Sequence, residues 1–205
     1  CRAVGEALAR LHLATPVVTA VSGGRFRADD LRVRLDRINH ESPAHRDAAL
    51  HIGRRLDHYS ALQRQDLPNG IIHGDLFRDN VLFQGDRVRA LLDFESASMG
   101  LFAFDVMVTL LAWCYGDAFE KDCVLALLEG YTSLRPFEPG ERDALGVEGA
   151  LACLRFATTR ITDFSMRAPA GQVPLQDYRR FLERLEALER GVLASWLEAL
   201  EHRTV

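Results

Sequence analysis

The stretch GIIHGDLFRDNVLF, residues 70–83, decides how this chain is read. It sets His73, Asp75 and Asn80 between two short runs of apolar β-formers, and ALLDFES, residues 90–96, follows with Asp93 closing another apolar run. Ile71-Ile72, Val81–Phe83 and Val88–Leu92 read as short strands. Gly85-Asp86 between the last two suits a tight hairpin turn, because glycine supplies the positive φ such a turn needs. Polar groups at strand ends are a poor way to build a core. They are a good way to build a site, since loops anchored by strands present their side chains to solvent.

The chemistry of these groups narrows the site's work. Asn80 and Asp93 are hard oxygen donors of the kind magnesium prefers, and a hairpin brings them together although they lie thirteen positions apart. Asp75 then stands aside, able to orient a hydroxyl or accept its proton. Two cation ligands and one positioning carboxylate are what phosphoryl transfer requires. Given seven His, sixteen Asp and three Asn in 205 residues, the spacing His-x-Asp-x-x-x-x-Asn arises by chance in about one such sequence in a hundred.

Composition sets the outer bounds. With 48% apolar and 26% charged residues the chain has the make-up of a water-soluble globular domain. A formal net charge of −4 argues against a general nucleic-acid binder, which needs a basic face. The longest apolar stretch, near Leu101–Tyr115, is interrupted by Asp105 and is too short to span a bilayer, and there is no signal-peptide pattern. The four cysteines, Cys1, Cys114, Cys123 and Cys153, show no CxxC pair or metal-ligand rhythm. They read as free thiols packed like small hydrophobes, which points to the cytoplasm.

Apolar periodicity predicts helices over 1–14, 44–66, 101–114, 118–132, 139–166 and 175–202, with a shorter one near Asp30–Asn39 and a loop at Ser22-Gly23-Gly24. Pro136, Pro139, Pro169, Gly171 and Pro174 mark breaks. The expected fold class is α+β, mostly helical, with one small β-hairpin beside the polar loop.

HGDLFRDNVLF, followed by LLDFESAS and FDVMVTLLAWC, resembles the aminoglycoside phosphotransferase and choline kinase group, a branch of the protein-kinase-like fold. GEALARLHLA, AWCYGD and LRFATTRITDF extend the likeness over almost the whole chain, nearest to the homoserine kinases of this fold. The resemblance implies a C-terminal lobe over residues 1–205, ATP as co-substrate, Mg²⁺ and a small hydroxyl-bearing acceptor, homoserine first. It makes Asp75 the catalytic-loop aspartate and Asn80 and Asp93 the metal ligands. His73 and Asp105 become supporting residues, Asp105 bracing the loop through backbone N–H groups. Arg78, Glu95 and Arg160 are candidate substrate contacts, Arg160 because an amino-acid carboxylate calls for an arginine. The group's upstream lobe carries a glycine loop and a strand lysine. The sole lysine here, Lys121, follows the loop, so the nucleotide-gripping lobe is expected to be missing and the fragment alone to be inactive.

Other readings stay open on the residues alone. The acceptor could be an aminoglycoside, a choline-like compound or a sugar alcohol. The His73–Asp75 pair could ligate a metal in a hydrolase, or the lobe could be a non-catalytic binding module. The sequence leaves the oligomeric state open.

Overall fold

The computed structural model describes residues 1–15, 24, 26–168 and 176–201, with side chains to 197. The expected loop residues Ser22 and Gly23 and the expected breaks at Pro169, Gly171 and Pro174 lie outside the described residues. The chain opens with helix α1 (Arg2–Leu13), then α2 (Ala28–Glu41) and α3 (Arg46–Leu62). Four short strands follow: β1 (Asn69–Ile72), β2 (Val81–Gln84), β3 (Arg87–Leu91) and β4 (Ser98–Leu101). The rest is helical: α4 (Phe102–Trp113), α5 (Lys121–Thr132), α6 (Glu141–Asp163), α7 (Arg179–Glu189) and α8 (Val192–Glu201).

The body is mostly helical, as the periodicity predicts, but the β structure is richer than one hairpin. Strands β2 and β3 form the expected antiparallel ribbon, turning at Gly85 with φ 60°. Strands β1 and β4 form a second antiparallel pair, with Asn69 opposite Leu101 and Ile72 opposite Ser98. The two pairs bracket the 73–80 loop, and β4 leads directly into α4. The expected single helix over 175–202 is two, parted at Gly191, whose φ of 75° no helix accommodates.

Helix α4 explains how the body holds together. Almost every side chain from Phe102 to Leu111 is buried, so the helix is apolar all round and belongs to an interior. Val108 and Leu111 face one core, built from α2, α3, α6 and α7. Val106, Met107 and Leu110 face another, built from α1, α5 and α8. Within the second core α1 and α5 approach backbone to backbone. A Cβ on Gly5 would strike the Leu127 carbonyl, and one on Gly130 would strike that of Arg2.

That close approach corrects the reading of the cysteines as free thiols. It brings Cys1 beside Cys123, 122 positions away, and the two form a disulfide with a Cα–Cα distance of 5.5 Å. Cys114 and Cys153 are free and buried. Among the described residues no helix is long and apolar enough to cross a membrane.

Candidate active site

The loop between β1 and β2 is held from below by one carboxylate. Asp105, in the first turn of α4, is fully buried, and its two oxygens accept the backbone N–H groups of His73 and Gly74, each at 2.7 Å. A third donor reaches it from α1: His12 Nε2 lies 3.1 Å from Asp105 Oδ2. The other His12 nitrogen meets the Tyr131 hydroxyl at 2.8 Å, and that oxygen accepts Arg135, which pairs with buried Glu141 at 3.0 Å. Burial would lift the Asp105 carboxyl. The hydrogen bond and charge of His12, with the two loop N–H groups, outweigh it and hold the group below the usual carboxylate range.

His73 is wholly committed to this scaffold. Its Nε2 lies 2.9 Å from the Leu92 carbonyl, which can only accept, so Nε2 carries the proton. Its Nδ1 then accepts the Asp75 backbone N–H at 3.3 Å. With both ring nitrogens engaged, the histidine ties the loop to the end of β3 and offers no lone pair to a metal, which removes the hydrolase reading built on it.

Asp75 presents a different environment. Its side chain is 32% exposed, and its nearest cation is Arg155 on α6, with Nη2 at 3.9 Å from Oδ1. Partial burial pushes its carboxyl up. Arg155 and His73 pull against this, while Asp93 and Asp79 add to it. Arg155 is a neighbour of the loop that the sequence reading does not single out. Its side chain is only 5% exposed, donates to the Gly74 carbonyl, and packs over the Phe26 and Phe156 rings at 4.3 Å. The available signal was its setting: an arginine inside the apolar run LACLRFA.

Asn80 and Asp93 come together through the ribbon. Val81 stands opposite Leu91, and the Leu92 N–H donates to the Asn80 carbonyl at 2.9 Å. The Asn80 amide donates to the Asp75 carbonyl at 2.8 Å, so its oxygen is the atom left for a cation. Asp93 is exposed and holds a left-handed conformation, φ 57° and ψ 68°, alone among the described non-glycine residues with positive φ. Such strain in a non-glycine residue collects at functional sites. The donor set, one amide oxygen and one exposed carboxylate beside the loop, fits a hard divalent cation.

The remaining candidates divide. Glu95 is exposed in the 3₁₀ turn that follows Asp93. Arg160 donates to the Asp177 carbonyl at 3.2 Å and lies over the Phe181 ring. Burial, with Arg184 and Arg180 nearby, lowers its pKa to about 10, and Asp75 is among the charges it feels. Arg78 turns to α4, donating to the Trp113 carbonyl at 2.7 Å while the Trp113 indole donates to the Leu76 carbonyl at 3.0 Å. Beside the loop opens a cavity of about 470 Å³, lined in part by Gly74, Ser96, Glu148 and Arg155.

A helical body that fixes a polar loop from beneath, and leaves one raised, partly exposed carboxylate with two further oxygen donors at the ends of the ribbon beside it, fits the class of kinase-like phosphotransferases. The chain belongs to the phosphotransferase enzyme family, which its residues 1–138 match. It is 37% identical over 199 residues to a homoserine kinase of Agrobacterium fabrum, a match covering 90% of this chain and 58% of that protein. To a homoserine kinase of Parvibaculum lavamentivorans it is 34% identical over 195 residues, covering 94% and 60%. The chain thus spans about three-fifths of the length of these relatives. Its fold is that of a choline/ethanolamine kinase family protein from Mesorhizobium loti, at TM-score 0.63 and 20% identity over 97% of this chain and 64% of that one. The protein-kinase-like fold expected from the loop motif is therefore the one observed.

Proposed function

We propose that the whole protein transfers the γ-phosphoryl group of ATP to the hydroxyl of a small molecule, homoserine first, and that residues 1–205 form its C-terminal lobe. On this reading an upstream lobe supplies the nucleotide grip, and the reaction belongs in the cytoplasm, where ATP is available. The observation that carries the proposal is the contrast built into one loop: Asp75, half-exposed and raised, above the fully bonded Asp105. Family membership and the names of the 34–37% identical relatives support the acceptor.

Asp75 orients the acceptor hydroxyl and takes its proton late, when charge on the transferred group is already spread over its oxygens. Asn80 and Asp93 would hold Mg²⁺, which when bound neutralises phosphate charge. Arg160, among whose electrostatic neighbours is Asp75, is the proposed partner for the acceptor carboxylate. The test is a coupled assay of ADP release by the full-length protein against homoserine, choline, amino sugars and aminoglycosides, with and without Asp75→Asn. Homoserine-dependent turnover that the substitution abolishes is expected. Turnover by the Asp75→Asn protein near the unsubstituted rate would overturn the role of Asp75. Silence on homoserine with turnover on another alcohol would overturn the acceptor.

A further inference from the structure

Three sulfurs from three helices converge beside the Trp113 carbonyl at the end of α4. The Sγ atoms of Cys1, Cys114 and Cys123, borne at the start of α1, the end of α4 and the first turns of α5, all lie within 4.8 Å of one another. Cys114 is buried, and the other two are partly so. A disulfide needs two of these sulfurs. It does not account for a third thiol within 4.8 Å of both.

A thiolate-bound zinc ion has Zn–S bonds of about 2.3 Å, which sets its sulfurs roughly 3.8 Å apart in tetrahedral geometry. On reduction of the bridge, the Cys1 and Cys123 sulfurs part from bonding distance toward that separation, and Cys114 needs to close by less than about 1 Å from the 4.8 Å limit. Helix packing does the preorganising. The glycine-to-backbone contact of α1 with α5 holds two of the ligand-bearing elements, and α4 lies in the same core. Soft thiolates select soft or borderline ions such as Zn²⁺ over magnesium or calcium.

We infer that the reduced Cys1–Cys114–Cys123 cluster is a binding site for a thiophilic metal ion, Zn²⁺ in the first instance. A dithiol reductant supplies two electrons and two protons to the Cys1–Cys123 bond and is itself oxidised to a disulfide. Zn²⁺ then displaces three thiol protons to give a tris-thiolate complex of charge −1, with water in the fourth position. This is a structural metal, separate from the Mg²⁺ proposed at Asn80 and Asp93. Its position gives it a mechanical reach. Trp113, adjoining Cys114, receives Arg78 and holds Leu76, and Cys123 Sγ lies 3.6 Å from the Trp113 carbonyl. Occupying the site pins the end of α4 against which the catalytic loop rests.

The full-length protein, reduced under anaerobic conditions with a phosphine, is titrated with Cd²⁺ as the spectroscopic probe. A thiolate-to-cadmium charge-transfer band saturating at one equivalent is expected. Cys1→Ser, Cys114→Ser and Cys123→Ser each weaken binding at least tenfold, and Cys153→Ser, from the other core, leaves it unchanged. In the unsubstituted protein one equivalent of Zn²⁺ shields the three clustered cysteines from alkylation, read residue by residue by mass spectrometry, and raises the melting temperature. Equal affinity in the Cys114→Ser and unsubstituted proteins, or no band, overturns the site and leaves a simple disulfide pair. If a serine variant does not fold, the alkylation pattern of the unsubstituted chain decides: a Cys114 that Zn²⁺ fails to shield overturns the proposal.

Discussion

Asp75 and Asp105 serve the same loop from opposite sides, and their carboxyl groups move in opposite directions. Burial raises both, and it is the larger influence on each. What separates them is the number of donors aimed at the carboxylate. Asp105 receives His12 and two backbone N–H groups at hydrogen-bonding distance, so its charged form wins even with no solvent exposure. Asp75 has one cation 3.9 Å away and two acidic neighbours, so its charged form is less favoured although water reaches it. The fold thus favours the charged form of the anchoring aspartate and disfavours that of Asp75, the direction the proposed proton-accepting role of Asp75 calls for.

The severest test of that division is Asp75→Asn in the full-length protein. It keeps the shape and removes the basic oxygen, so kcat should fall by about 10²–10⁴-fold. The melting temperature should hold or rise slightly, because a partly desolvated charge has gone. A large loss of stability would break the comparison by making Asp75 an anchor as well.

Asp105→Asn should do the reverse. The new amide turns a donor toward His12 or the loop N–H groups, and unfolding free energy at neutral pH should drop by about 3 kcal/mol. The pH dependence carries a sign. A depressed carboxyl contributes stability above its unfolded value of roughly 3.9, and that contribution is lost as pH falls through the folded value. The gap between Asp105→Asn and the unsubstituted protein should therefore narrow toward pH 3 in denaturant titrations. A gap independent of pH would show that the Asp105 charge does not hold the loop.

Glu148 extends the comparison to a third carboxyl. It is fully buried on α6 and is met by the Gln63 amide at 3.0 Å, and burial raises it to about 7. For a raised acid the contribution to stability is complete below the unfolded value and is lost as pH rises through the folded one. Between about pH 4.5 and 7 the protein should lose stability that Glu148→Gln keeps, on the order of 3 kcal/mol at pH 8. Chemical denaturation of the two proteins at pH 5 and pH 8 measures it.

How much of this could be read from the chain follows the same physics. Helices with a steady apolar period are legible, and so is the β2–β3 ribbon, because a turn glycine and two β-rich runs lie within a dozen residues. Strand β4 is not legible. Ser98–Leu101 has no alternation and exists only by pairing with β1, some thirty positions earlier. The loop motif displays Asp75, Asn80 and Asp93 openly, since their spacing is local. Residues that work through long-range contact leave little trace. His12 sits 93 positions from Asp105, and nothing in its surroundings marks it as a hydrogen-bond partner rather than one more helix residue. The same blindness hid the Cys1–Cys123 pairing, which the α1–α5 contact creates. Arg155 was visible only as an arginine in an apolar run, and what that meant depended on which loop the helix passes.

Arg155 also gives the finest probe of the Asp75 environment. Its guanidinium is the largest influence opposing the burial that raises Asp75, and His73, Asp93 and Asp79 are the other charged or titratable groups acting there. Arg155→Met keeps the long apolar stem over the Phe26 and Phe156 rings and removes the positive charge. Without it the neutral acid gains, and the folded value of Asp75 rises further. The acidic limb of the kcat/KM profile, which reports the free enzyme's base, should then move to higher pH. Above both limbs the rates of the two proteins should converge to within the loss caused by the missing bond to the Gly74 carbonyl. A limb that stays in place would mean that some other group sets it, and Asp75 would then be a positioning residue with no proton to accept.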